Sequence, residues 1–189
     1  MCSMTGAADP IKERIIWIDC EMTGLDVDKQ TLCEIAVIVT DSELNTVAAG
    51  PDIVIHQPKT VLDTMEEWPR KTFLQNGLME KIIASPISLE QAESQVIDFL
   101  KLHTLPGKSP IAGNSIHMDR MFIRKYMPKL DEWAHYRCID VSTIKGLVQR
   151  WYPKYEHLKK QCTHRALDDI EESIAELKQY REQVFVKKD

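Results

Sequence analysis

Arg14–Asp19, RIIWID, and Thr31–Thr40, TLCEIAVIVT, are the stretches on which the fold turns. Both are compact runs rich in β-branched residues and read as strands. Thr46–Ile55 supplies a third after the turn signal Asp41-Ser42-Glu43. Connections this short favour an antiparallel meander over crossover units, so the chain opens with a sheet.

Downstream the pattern turns helical. From Leu62 a helical stretch is expected with Pro69 and Gly77 as interruptions, and Ser88 with Gln91 three residues on reads as a capping box for a better helix. That helix keeps Leu89, Ala92, Val96, Phe99 and Leu100 at helical spacing. Pro106, Gly107 and Pro110 mark a loop, Ile111–Gly113 a short buried strand, and His117–Met127 a helix stopped by Pro128. Arg137–Val141 reads as a strand and Ser142–Trp151 as a helix. The last helix is expected from near His164 to about Phe185, with Leu167, Ile170, Ile174 and Leu177 on one face. No repeat or linker breaks the chain. The expected organisation is one α/β domain over 14–186 behind a flexible leader over 1–13.

At 189 residues and 43% hydrophobic content the chain can bury a real core, and no apolar run approaches the length of a spanning helix. The net charge of −5 argues against a protein that grips long nucleic acid mainly by neutralising phosphates. Arg120–Arg165 nevertheless carries 11 basic against 4 acidic residues, which suits a small anionic ligand. The five cysteines lack paired spacing, which points to a reducing compartment. Met1–Pro10 has neither the apolar stretch of a secretory signal nor an Arg-rich presequence pattern, so cytoplasm is the default, with mitochondria or nucleus left open.

Three acidic groups could carry chemistry. Asp19 and Glu21 close the first strand, and the two-residue period puts both carboxylates on one face, where hard divalent cations would find oxygen ligands. Alone, the pair reads more readily as a strand end emerging into solvent. In His164-Arg165-Ala166-Leu167-Asp168-Asp169 the two aspartates diverge by about 100° on a helix, so one of them at most shares a given site, and dipole compensation explains both. Asp119 is the third, readable by itself as a surface acid. Together they form an ordered set more specific than any member.

WIDCEMTGLD (Trp17–Asp26), AGNSIHMDRMFI (Ala112–Ile123), HYRCIDVSTIK (His135–Lys145) and HRALDDIEESI (His164–Ile174) closely resemble the oligoribonuclease family of the DEDD exonuclease superfamily. The likeness runs from Ile15 to Phe185 and includes GPDIVIHQP (Gly50–Pro58). It implies a ribonuclease H-like mixed sheet flanked by helices, with Asp19, Glu21, Asp119 and Asp169 as metal-binding carboxylates and His164 as general base. It leaves Asp168 in a supporting role. Two divalent ions, Mg²⁺ or Mn²⁺, are implied, acting in hydrolysis that releases nucleoside 5′-monophosphates from the 3′ end of very short RNA. By the same resemblance Leu25 and Trp68 pack against bases, Ser115 makes a polar contact, and Tyr136, Arg137 and Ser142 cap a 5′ phosphate in a homodimer. Three positions depart from the family pattern: Phe73 where His is common, Pro69 after Trp68, and Asn76 for a common Ser.

Overall fold

The computed structural model describes residues 10–156 and 165–186. Strands β1 (Ile15–Met22), β2 (Leu32–Thr40) and β3 (Thr46–Val54) follow one another in the chain. Helices α1 (Lys59–Leu62), α2 (Glu67–Gln75), α3 (Leu78–Ala84) and α4 (Leu89–His103) come next. Then β4 (Pro110–Gly113), α5 (Ile116–Tyr126), α6 (Pro128–Trp133), β5 (His135–Asp140), α7 (Val141–Trp151) and α8 (Ala166–Gln183) complete the order. Ahead of β1, Pro10–Glu13 form a 3-10 turn. Among the described residues no helix is long and apolar enough to cross a membrane.

The five strands make one mixed sheet in the order β3-β2-β1-β4-β5. The expected meander is there: β1 pairs antiparallel with β2, and β2 with β3. β4 joins β1 in parallel, and β5 joins β4 in parallel at the edge. Each strand of the β1–β2 pair is buried on both faces, which is why the runs read as apolar without alternation.

Two cores follow from the period of two along β1. Ile16 and Ile18 face Ala92, Val96 and Leu100 of α4 and Phe122 of α5, whereas Trp17, with Ala36 and Ile38 of β2, faces Ile170, Ile174 and Leu177 of α8. Asp19 and Glu21 continue the Trp17 row and so emerge on the α8 side.

The helical expectations need two corrections. Pro69 does not interrupt: it is the third residue of α2, where a missing N–H breaks no intrahelical bond. Pro128 ends α5 and also opens α6 as its first residue. Gly77, at φ 74°, does separate α2 from α3. The final helix begins at Ala166 and ends at Gln183, a little inside the expected limits. His164 lies outside the described residues, as do the first nine residues of the expected leader.

Candidate active site

The carboxylates gather where β1 runs out. Asp19, Glu21 and Asp169 each offer an oxygen, and these atoms lie within 4.8 Å of one another. Asp169 reaches them because α8 starts beside the end of β1; Asp168, one residue earlier, is exposed. Of the two aspartates whose sharing spacing left open, Asp169 is therefore the one in the cluster.

Asp119 arrives from α5. Its Oδ1 accepts from the backbone N–H of Cys20 at 3.0 Å, a donor left over because β4 pairs with β1 only at Ile16 and Trp17. Gly113 makes this junction tight, since a Cβ there would stand 2.9 Å from the Ile18 carbonyl. All four carboxylate residues line one cleft of about 410 Å³, together with Leu25 and Ser115.

Among the described residues acids outweigh cations in this cleft, Arg165 acting on Glu21 less than burial and the neighbouring carboxylates do. Burial, and then the charges of Asp119, Asp169, Glu21 and Glu34, push Asp19 well above the ordinary carboxylate range. Burial and the facing Glu34 raise Glu21 to about 8. Burial raises Asp119 to about 7, against the lowering effect of its backbone hydrogen bonds. A hard divalent cation with oxygen ligands is the partner that such a donor set fits.

Glu34 went unremarked in the sequence. It is fully buried on β2 opposite Glu21, and Arg165 answers it, with Nη2 at 2.5 Å and Nε at 3.1 Å from Oε1. The signal was available: one carboxylate inside an otherwise apolar run must find a partner. Asn114 was missed as well. Its amide bridges Ser142 on α7 to Ser173 and Glu176 on α8.

Leu25 and Trp68 are exposed, at 62% and 61%, and belong to no core. They line an adjoining cleft of about 300 Å³ that also reaches Glu21. Leu25 is held by its own N–H on Glu66 Oε1 at 3.2 Å, and Gly24 allows that approach, since a Cβ would collide with the Glu66 side chain. Ser115 Oγ donates to Ser142 Oγ at 3.2 Å at the rim of the acidic cleft. Tyr136 and Arg137 stand apart from both clefts on the exposed edge strand β5, the guanidinium 5.4 Å from the ring centroid. The three departures serve the protein's own packing. Phe73 is fully buried among Leu62, Met65, Leu78 and Ile82, Pro69 is buried in α2, and Asn76 Oδ1 accepts from the N–H of Leu78 at 3.1 Å.

Known proteins resemble the chain in sequence and in fold. Residues 16–177 match the Exonuclease family RNase_T. A probable oligoribonuclease of Caenorhabditis elegans is 79% identical over 187 residues, covering 99% of this chain and 97% of the relative. The oligoribonuclease of Marinobacter nauticus is 52% identical over 174 residues, covering 92% and 97%. A human protein named oligoribonuclease, mitochondrial, is 47% identical over 184 residues, covering 96% and 78%. In fold, the chain is similar to exonuclease I of Escherichia coli, with a TM-score of 0.71 at 16% identity over 91% of this chain. Exonuclease I of Methylocaldum szegediense gives 0.70 at 18% identity over 90%. The chain spans 41% of the length of either exonuclease I. The family match and these relatives show that the chain belongs to the oligoribonuclease family of DEDD exonucleases and is a nuclease by descent.

Proposed function

We propose that the protein is a divalent-metal-dependent 3′-to-5′ exoribonuclease that hydrolyses very short RNA to nucleoside 5′-monophosphates. The observation that carries the reading is the convergence of Asp19, Glu21 and Asp169 beside Asp119 in one cleft, with exposed Leu25 and Trp68 at its side. The names of the relatives supply the substrate class.

Asp19, Glu21, Asp119 and Asp169 would hold two ions, Mg²⁺ or Mn²⁺. When bound, the ions would supply charge neutralisation at the scissile phosphate and acidify the attacking water. The chain's own residues do the rest. His164 takes the water's proton as general base, a role suited to a group that titrates near neutrality. Water oxygen bonds to phosphorus, the P–O3′ bond breaks, and a proton ends on the departing 3′ oxygen.

Leu25 and Trp68 offer apolar surface to bases, which is tolerant of sequence. Ser115 presents its hydroxyl toward the phosphate, and Ser142, Tyr136 and Arg137 form a 5′ cap completed across a homodimer. Such a cap selects for length, because a long strand has no phosphate end at that distance. The acidic body away from Arg120–Arg165 works in the same direction. The compartment we infer is the cytoplasm, with mitochondria as the alternative that the human relative's name raises.

A 5′-labelled RNA dinucleotide incubated with Mg²⁺, with Mn²⁺ and with EDTA, beside a long RNA, tests the reading. Metal-dependent cleavage that is faster on the dinucleotide is expected. Folded, metal-loaded dimer that leaves the dinucleotide intact would refute it.

A further inference from the structure

We propose that Glu176 is a positioning residue for the hydroxyls at the rim of the cleft, fixing the direction of a hydrogen-bond chain that runs through Asn114 and Ser142 to Ser115. The inference rests on the nuclease reading above and assigns a residue which that reading does not use.

Glu176 is 2% exposed on α8. It lies seven residues after Asp169, with Ser173 and Tyr180 on the same helical stripe, so a polar line descends the helix from the carboxylate cluster. Tyr180 Oη donates to Glu176 Oε1 at 2.8 Å, and Lys145 Nζ of α7 stands 3.5 Å from the same oxygen. Asn114 Nδ2 donates to Oε2 at 3.1 Å.

An ionised carboxylate only accepts, so the atom of the Asn114 amide that faces it must be nitrogen. The other hydrogen of that nitrogen goes to Ser173 Oγ at 2.8 Å. Oδ1 is then the acceptor for Ser142 Oγ at 3.0 Å. With its one proton given away, the Ser142 oxygen accepts, and Ser115 Oγ donates to it at 3.2 Å. On the other branch Ser173 gives its proton to the Asp169 carbonyl at 2.7 Å.

The two hydroxyls are thereby made unequal. Ser142 is tied to Asn114 and acts as the link, while the Ser115 proton ends the chain on its longest bond and can turn to an anionic oxygen in the cleft. A buried charge one helix away decides which hydroxyl donates.

Glu176→Gln keeps the shape but puts a group that both donates and accepts opposite Asn114, so the amide loses its single orientation. On a 5′-phosphorylated dinucleotide the expected result is a KM raised about tenfold with kcat within about twofold of wild type. The 5′-hydroxyl dinucleotide should show little change in KM. Asn114→Ala on the Glu176→Gln background should add little, because both break one chain. A fall in kcat shared by the two substrates, or effects of the two substitutions that multiply, would overturn the proposal. Should Glu176→Gln fail to fold by circular dichroism, Asn114→Ala carries the same comparison. Wild type that cleaves neither RNA would overturn the nuclease reading and this proposal together. Active wild type without the KM split in the variant overturns the positioning role alone.

Discussion

Glu34 is a buried carboxylate whose partner the fold must supply. It has no exposed surface, it sits across β1–β2 from Glu21, and the cation that answers it, Arg165, comes from 131 positions away. A buried pair of this kind contributes little over an apolar pair of the same shape, but breaking it strands a charge. Arg165→Met alone should therefore destabilise the chain by about 3 kcal/mol, while Glu34→Gln combined with Arg165→Met should recover most of the loss. Urea midpoints at neutral pH measure both. A single variant within about 0.5 kcal/mol of wild type would mean that the pair does not hold the start of α8. Neither partner could be matched from sequence, because strand register and the entry of α8 decide that they meet.

At the level of elements, local signals were legible and long-range ones were not. The cap of α4 was written in four consecutive residues: Ser88 Oγ accepts from the Gln91 N–H at 3.2 Å, and Gln91 Oε1 accepts from the Ser88 N–H at 2.9 Å. Ser88→Ala should cost about 1 kcal/mol, seen as a lower melting temperature, with dinucleotide hydrolysis unchanged because α4 packs on the sheet face away from the acids. Loss of hydrolysis in step with the cap would contradict that separation. The strands were equally readable, since β1 and β2 are buried on both faces and show as unbroken apolar runs. The polar stripe of α8 was not, because Ser173 and Glu176 acquire meaning only beside Asn114, 59 and 62 residues earlier. The apolar stripe of the same helix hid it. Phe73, a departure from the family pattern, is placed by packing in the same way: its burial under α3 appears only once α2 and α3 pack.

For the whole molecule, the acid cluster sets how stability responds to pH and to metal. In metal-free protein the folded state holds Glu21 near 8 against an ordinary 4.5, and Asp119 near 7 against 3.8, through burial and, at Glu21, the facing Glu34. Both groups are thus raised, so below about pH 4 to 4.5 they are protonated in folded and unfolded chains alike and their contribution is fully present. As pH rises, the unfolded chain releases these protons first, and stability falls until pH passes about 8. The exposed Asp26, held low first by Lys29, works in the opposite direction but is screened by water. The melting temperature in EDTA should therefore decline from about pH 5 to about pH 8 and then level. On the proposed function a divalent cation held by the folded carboxylates would compete with those protons, so the rise in melting temperature on adding Mg²⁺ should be larger at pH 8 than at pH 6. Glu21→Gln should reduce the slope of the EDTA profile and shrink the Mg²⁺ response together, because Glu21 contributes to both. A profile in EDTA that stays flat for the wild-type chain, or a Glu21→Gln variant that keeps the full slope, would show that the cluster is not where folding, protons and metal meet.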